Sequence, residues 1–245
     1  MPRSNPRSPS RPDLDALVLT VGNHARRADG VCAMEAAAWL AGRPHSDAPE
    51  CVCPVIRSLV IGWNDAIPDQ ARRTAILKPF LLKILDTKST PGVEIQRSYL
   101  AFDWLVRVQT PAWLALSPNL EAHAIALREL AAITDQATFD AASPKVSAAW
   151  AAAWDAAGAA AWAAAWAAAR AAAGAAAWDA ARAAAGAAAW AAARAPAGAA
   201  AWAAARAAAG AAAGAAAGAR LQPTVELLQV SAADLLNRMI AVTEA

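Results

Sequence analysis

Apolar and polar positions alternate along this chain with helical rather than strand periodicity, and that pattern divides it into a series of predicted helices. In "DGVCAMEAAAWLAG" the spacing predicts a helix opened by Asp29 or Gly30 and stopped by Gly42. "CPVIRSLVIGWNDAIP" places Pro54 at a first helical position. Val55, Ile56, Leu59, Val60 and Trp63 follow at core spacing. "DQARRTAILKPFLLKIL" reads as a third helix, bent or divided at Pro79. "VEIQRSYLAFDWLVRVQT" reads as a fourth, with Ile95, Leu100, Phe102, Leu105 and Val106 as its apolar bulk. Pro111 and Pro118 frame a short segment around Trp113. "NLEAHAIALRELAAIT" reads as a fifth, capped by Asn119 or its predecessor. At the far end, Pro223 is expected to start a helix with an apolar stripe at Leu227, Leu228, Leu235, Leu236, Met239 and Ile240. Only "LDALVLTVG" (Leu14–Gly22) suggests an extended arm or a single strand. Helix after helix with almost no β-branched alternation predicts an all-α protein.

Between these parts lies a different pattern. From Trp150 to Gly218 every fourth residue is Trp, Gly or Arg, and the rest is alanine apart from Asp155, Asp179 and Pro196. The codons of Trp, Arg and Gly can differ in one base, as can those of Ala, Asp and Pro. An expanded DNA repeat that has drifted by point changes accounts for the pattern. Alanine has the highest helix propensity, so the tract is expected to be helical. As one rod, residues 148–219 would span about 108 Å at ~1.5 Å per residue. Pro196 makes a hairpin folded near Ala195–Gly198 an equal alternative. Period four advances about 40° per step around a helix. On that wheel Trp150, Trp154, Trp162, Trp166, Trp190 and Trp202 share one wide side. Arg170, Arg182 and Arg206 fall outside it, while Arg194 and Trp178 are exceptions. Rings standing on a thin alanine backbone suit packing against a second copy or another helical protein. The tract has too little Leu, Ile or Phe for a membrane span, so no membrane partner is expected from its composition.

Composition refines this plan. The hydrophobic fraction of 58% is largely alanine, so the core must come from Leu, Ile, Val and Trp. The formal charge of +2 is uneven: Arg3, Arg7 and Arg11 make residues 1–12 a basic, Pro/Ser-rich tail expected to be disordered. Neither that tail nor the arginines of the tract are dense enough to indicate nucleic acid. The expected plan is therefore a tail over 1–12, a compact helical domain over 13–145 and an Ala/Trp/Gly/Arg arm over 146–220. A C-terminal amphipathic helix over 221–245 then packs on the body or on a second copy. Three cysteines without a secretory leader point to a reducing, cytoplasmic setting.

Candidate chemistry gathers in "GNHARRADGVCAMEAAAWLAGRPHSDAPECVCP". Cys32, His45, Cys51 and Cys53 could meet on one zinc or iron ion, with His24, Glu35 and Asp47 in support. "CVC" lacks the spacing of a finger knuckle, however, and buried cysteine is commoner than ligating cysteine. A thiol enzyme would set His24 or His45 beside Cys32 or Cys51, with Asp47 orienting the ring. No phosphate-binding Gly-rich loop and no His-Glu-x2-His motif is present.

The stretches "DGVCAMEAAAWLAGRPHSDAPECVCPV", "WNDAIPD", "LKPF", "DWLVRVQTPAWL" and "LQPTVELLQVSAADLLNRMIAV" resemble an uncharacterised family from high-GC actinobacteria and their phages. The resemblance implies an Ala/Arg/Trp-rich stretch in the same place. It carries no activity and no catalytic or binding residue. The reading is a structural or interaction-mediating protein that self-associates through the Trp-bearing arm. The alternative is a metal or thiol site around Cys32, His45 and Cys51/Cys53.

Overall fold

The computed structural model describes residues 12–156 and 211–244, with side chains described for 12–153 and 221–244. Among them all regular structure is helical. The helices are α1 (Ala33–Leu40), α2 (Pro54–Ala66), α3 (Gln70–Leu77), α4 (Pro91–Trp104), α5 (Thr110–Leu114), α6 (Glu121–Arg128), α7 (Gln136–Ala156) and α8 (Ala211–Ala241). The tail over 1–11, the bend expected at Pro196 and the rings of Trp154, Trp162, Trp166, Trp190 and Trp202 lie outside this description.

Local chemistry moves several predicted boundaries. Leu14–Gly22 forms a turn and then an extended segment, with no strand. α1 starts at Ala33, later than Asp29 or Gly30, because Cys32 and Glu35 close a capping box over its first turn. Its stop is Gly42, as the sequence indicates. Gly42 sits at φ +67, while Arg43 N–H donates to Ala38 O at 2.8 Å and Gly42 N–H to Trp39 O at 3.0 Å. That pair of bonds is a Schellman end, which needs a left-handed residue. α3 ends before Pro79, and Lys78–Phe80 form a 3-10 turn. α6 is entered through a 3-10 turn at Pro118–Leu120, so Asn119 is not its cap.

α4 does not stop before Pro111. It continues through a π turn at Leu105–Gln109 into α5. Thr110 N–H donates to Leu105 O, five residues back. Proline has no N–H and its ring crowds the carbonyl four residues earlier. The wider π turn relieves that conflict and lets one rod run on past Pro111. Pro223 likewise lies inside α8, whose helix is described from Ala211, rather than at its start.

Two apolar clusters meet across α4. Ala101, Trp104 and Leu105 face the larger one, with Leu19, Met34, Ile56, Leu59, Trp63 and Ile84. Leu228, Ala232, Leu235, Leu236 and Met239 of α8 are also in it, each fully buried. Phe102 and Val106 face the smaller one, with Leu120, Leu127, Ile133 and, from α7, Ala142 and Ala149. The Phe102 and Phe139 rings stand 4.5 Å apart there. Ile95 and Leu227, expected as apolar bulk, are exposed.

Two buried arginines close helix ends without any carboxylate. Arg73 donates through Nε to Asn64 O (2.8 Å), through Nη1 to Leu19 O (3.2 Å) and through Nη2 to Ile67 O, satisfying the end of α2. Arg97 donates to Met239 O (2.8 Å), Thr87 O and Val242 O (2.9 Å), satisfying the end of α8. Trp104 Nε1 adds a bond to Ser231 Oγ at 3.0 Å, and Arg72 one to Gln229 Oε1 at 2.8 Å. α8 is thus part of the main core.

Arg97→Leu keeps bulk but strips two buried carbonyls and one part-buried carbonyl of their donor. It is expected to lower unfolding free energy by about 3 kcal/mol or more, read from urea midpoints. Arg97→Lys should recover only part, because one ammonium cannot span three acceptors.

Candidate functional site

The polar cluster predicted from the sequence exists in part, centred on Glu35. Its side chain is only 1% exposed, so each oxygen needs donors. Oε1 accepts from His24 N–H at 2.6 Å. Oε2 accepts from His24 Nδ1 at 2.8 Å and from Cys32 N–H at 2.8 Å. His45 Nε2 lies 3.6 Å from Oε1 and donates to His24 O at 2.8 Å. Burial on its own would raise the Glu35 pKa. The N–H groups of Cys32 and His24 and the His24 ring outweigh it and hold the carboxyl below its ordinary value of 4.5.

Further residues complete the cluster, and sequence reasoning missed them. Thr20 Oγ1 lies 3.1 Å from His24 Nε2. Asn64 accepts from Ala33 N–H at 3.2 Å and donates to Thr20 O at 2.9 Å and Asp65 Oδ1 at 2.9 Å. Asp65 also accepts from Gly22 N–H at 2.8 Å. The adjacent Asn and Asp in "WNDAIPD", two side chains that readily bond backbone, were the available signal.

Thr20, His24 and Glu35 give a hydroxyl–imidazole–carboxylate sequence, the arrangement that activates a nucleophile. Gly30 decides what it does here. A Cβ on Gly30 would come within 2.6 Å of Thr20 Oγ1 and 2.8 Å of His24 Nε2, so backbone stands where a substrate would have to enter. Gly30 also holds φ +132, a conformation that L side chains rarely adopt.

The Cys32 thiol is equally committed. Cys32 is buried, and its Sγ accepts from Glu35 N–H at 3.5 Å. Burial, aided by the negative charge of Glu35, pushes its pKa from 9.0 up to about 12, so it stays protonated at neutral pH. Cys53 is buried at the start of α2, and its N–H donates to Thr87 Oγ1 at 3.1 Å. Cys51 is half-buried, and Asp47 is half-buried in the loop after His45. All three thiols are free. Among the described residues no group of three or more His, Cys, Asp or Glu is arranged to hold a metal ion. Cys32, His45, Cys51 and Cys53 are therefore not gathered as a zinc or iron set. The arrangement ties residues 20–24 and the loop at His45 to α1 and α2.

Of the tryptophans expected to mediate contacts, Trp150 is half-buried and borders a small cavity with Phe102, Leu105 and Leu127. No helix among the described residues is long and apolar enough to cross a membrane. Comparisons with protein-family models, curated proteins and solved structures give no match.

Glu35→Gln offers one acceptor and turns an amide NH2 toward existing donors. It is expected to cost about 2–3 kcal/mol near neutral pH, measured by urea unfolding. Because the folded pKa is depressed, this contribution is present above pH 4.5 and is lost as pH falls through the folded value. The acid slope of the native chain should flatten in the Gln variant. A thiol reagent at neutral pH should label Cys51 and spare Cys32 until the chain is unfolded.

Proposed function

We propose that this chain is a structural, interaction-mediating protein that holds both ends of its Trp-bearing alanine-rich tract on one helical body and self-associates through that tract. The observation that carries the reading is the seating of the two flanking helices. α7 reaches Ala156 with Ala142 and Ala149 buried in the smaller cluster. α8 is described from Ala211 and buries Leu228, Ala232, Leu235, Leu236 and Met239 in the larger one. Arg97 fastens its far end. Residues 157–210 thus enter and leave a body that is anchored on both sides.

The polar cluster supports the same reading. Its Glu35 carboxylate, Cys32 thiol and His24 imidazole are spent on internal bonds, which leaves the metal or thiol alternative without a gathered site. Free cysteines fit a reducing compartment. The resemblance to an actinobacterial and phage family with a similar tract belongs with this proposal.

Trp162, Trp166, Trp190 and Trp202→Ala in the full chain raises helix propensity while removing the large rings. Light scattering is expected to show an oligomer for the native chain and the mass of one chain for the variant, with unchanged circular dichroism from the body. A native chain that stays monomeric over the micromolar range would sink the proposal.

A further inference from the structure

Two concave surfaces flank the extended segment at Leu17 and Val18, and both residues line both. One, of about 940 Å³, lies between that segment and α3, with Leu14, Ala75 and Pro79 in its walls. The other, of about 400 Å³, lies toward Arg27–Val31, with Trp39 in its wall. Val18 is 51% exposed on the ridge between them. An open apolar ridge beside two hollows is the kind of surface that a partner covers.

The rims carry a charge bias. Asp15 and Asp69 border the first groove, and Asp13 and Asp29 the second, all exposed. Against these four carboxylates stand Lys78 and Arg27 in the linings, and Arg26, whose guanidinium donates to both oxygens of Asp29 at 3.1 Å. Lys78 Nζ donates to the Asp15 backbone carbonyl, not to its carboxylate. The Arg27 guanidinium lies 5.1 Å from the Trp39 ring centroid, and its buried Nε has no hydrogen-bond partner. This surface already holds one guanidinium against an indole.

The tract offers the complement. Arg170, Arg182, Arg194 and Arg206 each follow a tryptophan four residues earlier: Trp166, Trp178, Trp190 and Trp202. Each pair combines a large ring for an apolar hollow with a cation for a carboxylate rim. Aromatic and arginine side chains are the usual anchors of such contacts. The geometry points to the paired grooves beside Leu17–Val18 as the seat for Trp-x3-Arg pairs from the alanine-rich tract of a second copy, an inference that rests on the tract-mediated assembly proposed above. The tract supplies the knobs, the grooves supply the sockets, and the rim carboxylates select arginine over an acidic segment.

A charge swap in the full chain tests it. Asp15→Lys with Val18→Lys reverses the groove at two exposed positions. Arg170, Arg182, Arg194 and Arg206→Glu reverses the tract. Sedimentation over a concentration series is expected to show each variant associating at least tenfold more weakly than the native chain, with thermal melts unchanged. An equimolar mixture should regain association, since the reversed tract of one then meets the reversed groove of the other. If the groove variant assembles like the native chain while the Trp→Ala variant disperses, the docking site is overturned and tract-mediated assembly stands. A mixture that fails to regain association also overturns the docking site. If no variant changes the assembly, or the native chain is monomeric throughout, both proposals fall.

Discussion

A helix that ends inside a protein leaves carbonyls that no further turn can satisfy, and the fold is organised around meeting that need. Arg97 meets it for α8 and Arg73 for α2, each with a planar fork aimed at backbone oxygens. Neither guanidinium is matched by a buried acid among its hydrogen-bond partners. The cations instead meet the negative ends of helix dipoles, where positive charge is favoured. Through these two residues the extended N-terminal segment, α2, α4 and α8 become one packed unit. The apolar contacts of Leu228, Leu235 and Met239 follow from that docking.

The Glu35 cluster solves the opposite problem. An extended segment has backbone donors and no ladder to spend them on. Glu35 and Asp65 supply acceptors, Asn64 donates to the Thr20 carbonyl, and Gly30 allows the close approach. Residues that look like chemistry in a list of side chains are here the means of pinning irregular backbone to two helices. The raised thiol of Cys32 and the depressed carboxyl of Glu35 are consequences of that work.

Much of the fold was legible where periodicity and punctuation agreed. Pro54, Gly42 and Pro79 sit where their backbone preferences place them, and the α2 core positions are buried as spaced. Pro111 and Pro223 misled because tertiary packing and a π turn override a local breaker. The site was half legible. His24, Cys32, Glu35 and His45 are neighbours, but composition could not reveal that backbone N–H groups, rather than a metal, claim the carboxylate. Thr20 was invisible because only the folded path brings it beside α1, and the same path decides what Asn64 reaches.

Arg97 finds two of its acceptors 142 and 145 residues further along the chain. Synthesis proceeds from the N-terminus, and long-range contacts form late. The larger core therefore stays open, with Trp63 and Trp104 lacking their α8 lid, until the ribosome has passed the whole alanine-rich stretch. The nascent protein is thus most exposed to aggregation and to chaperones while that stretch is being translated.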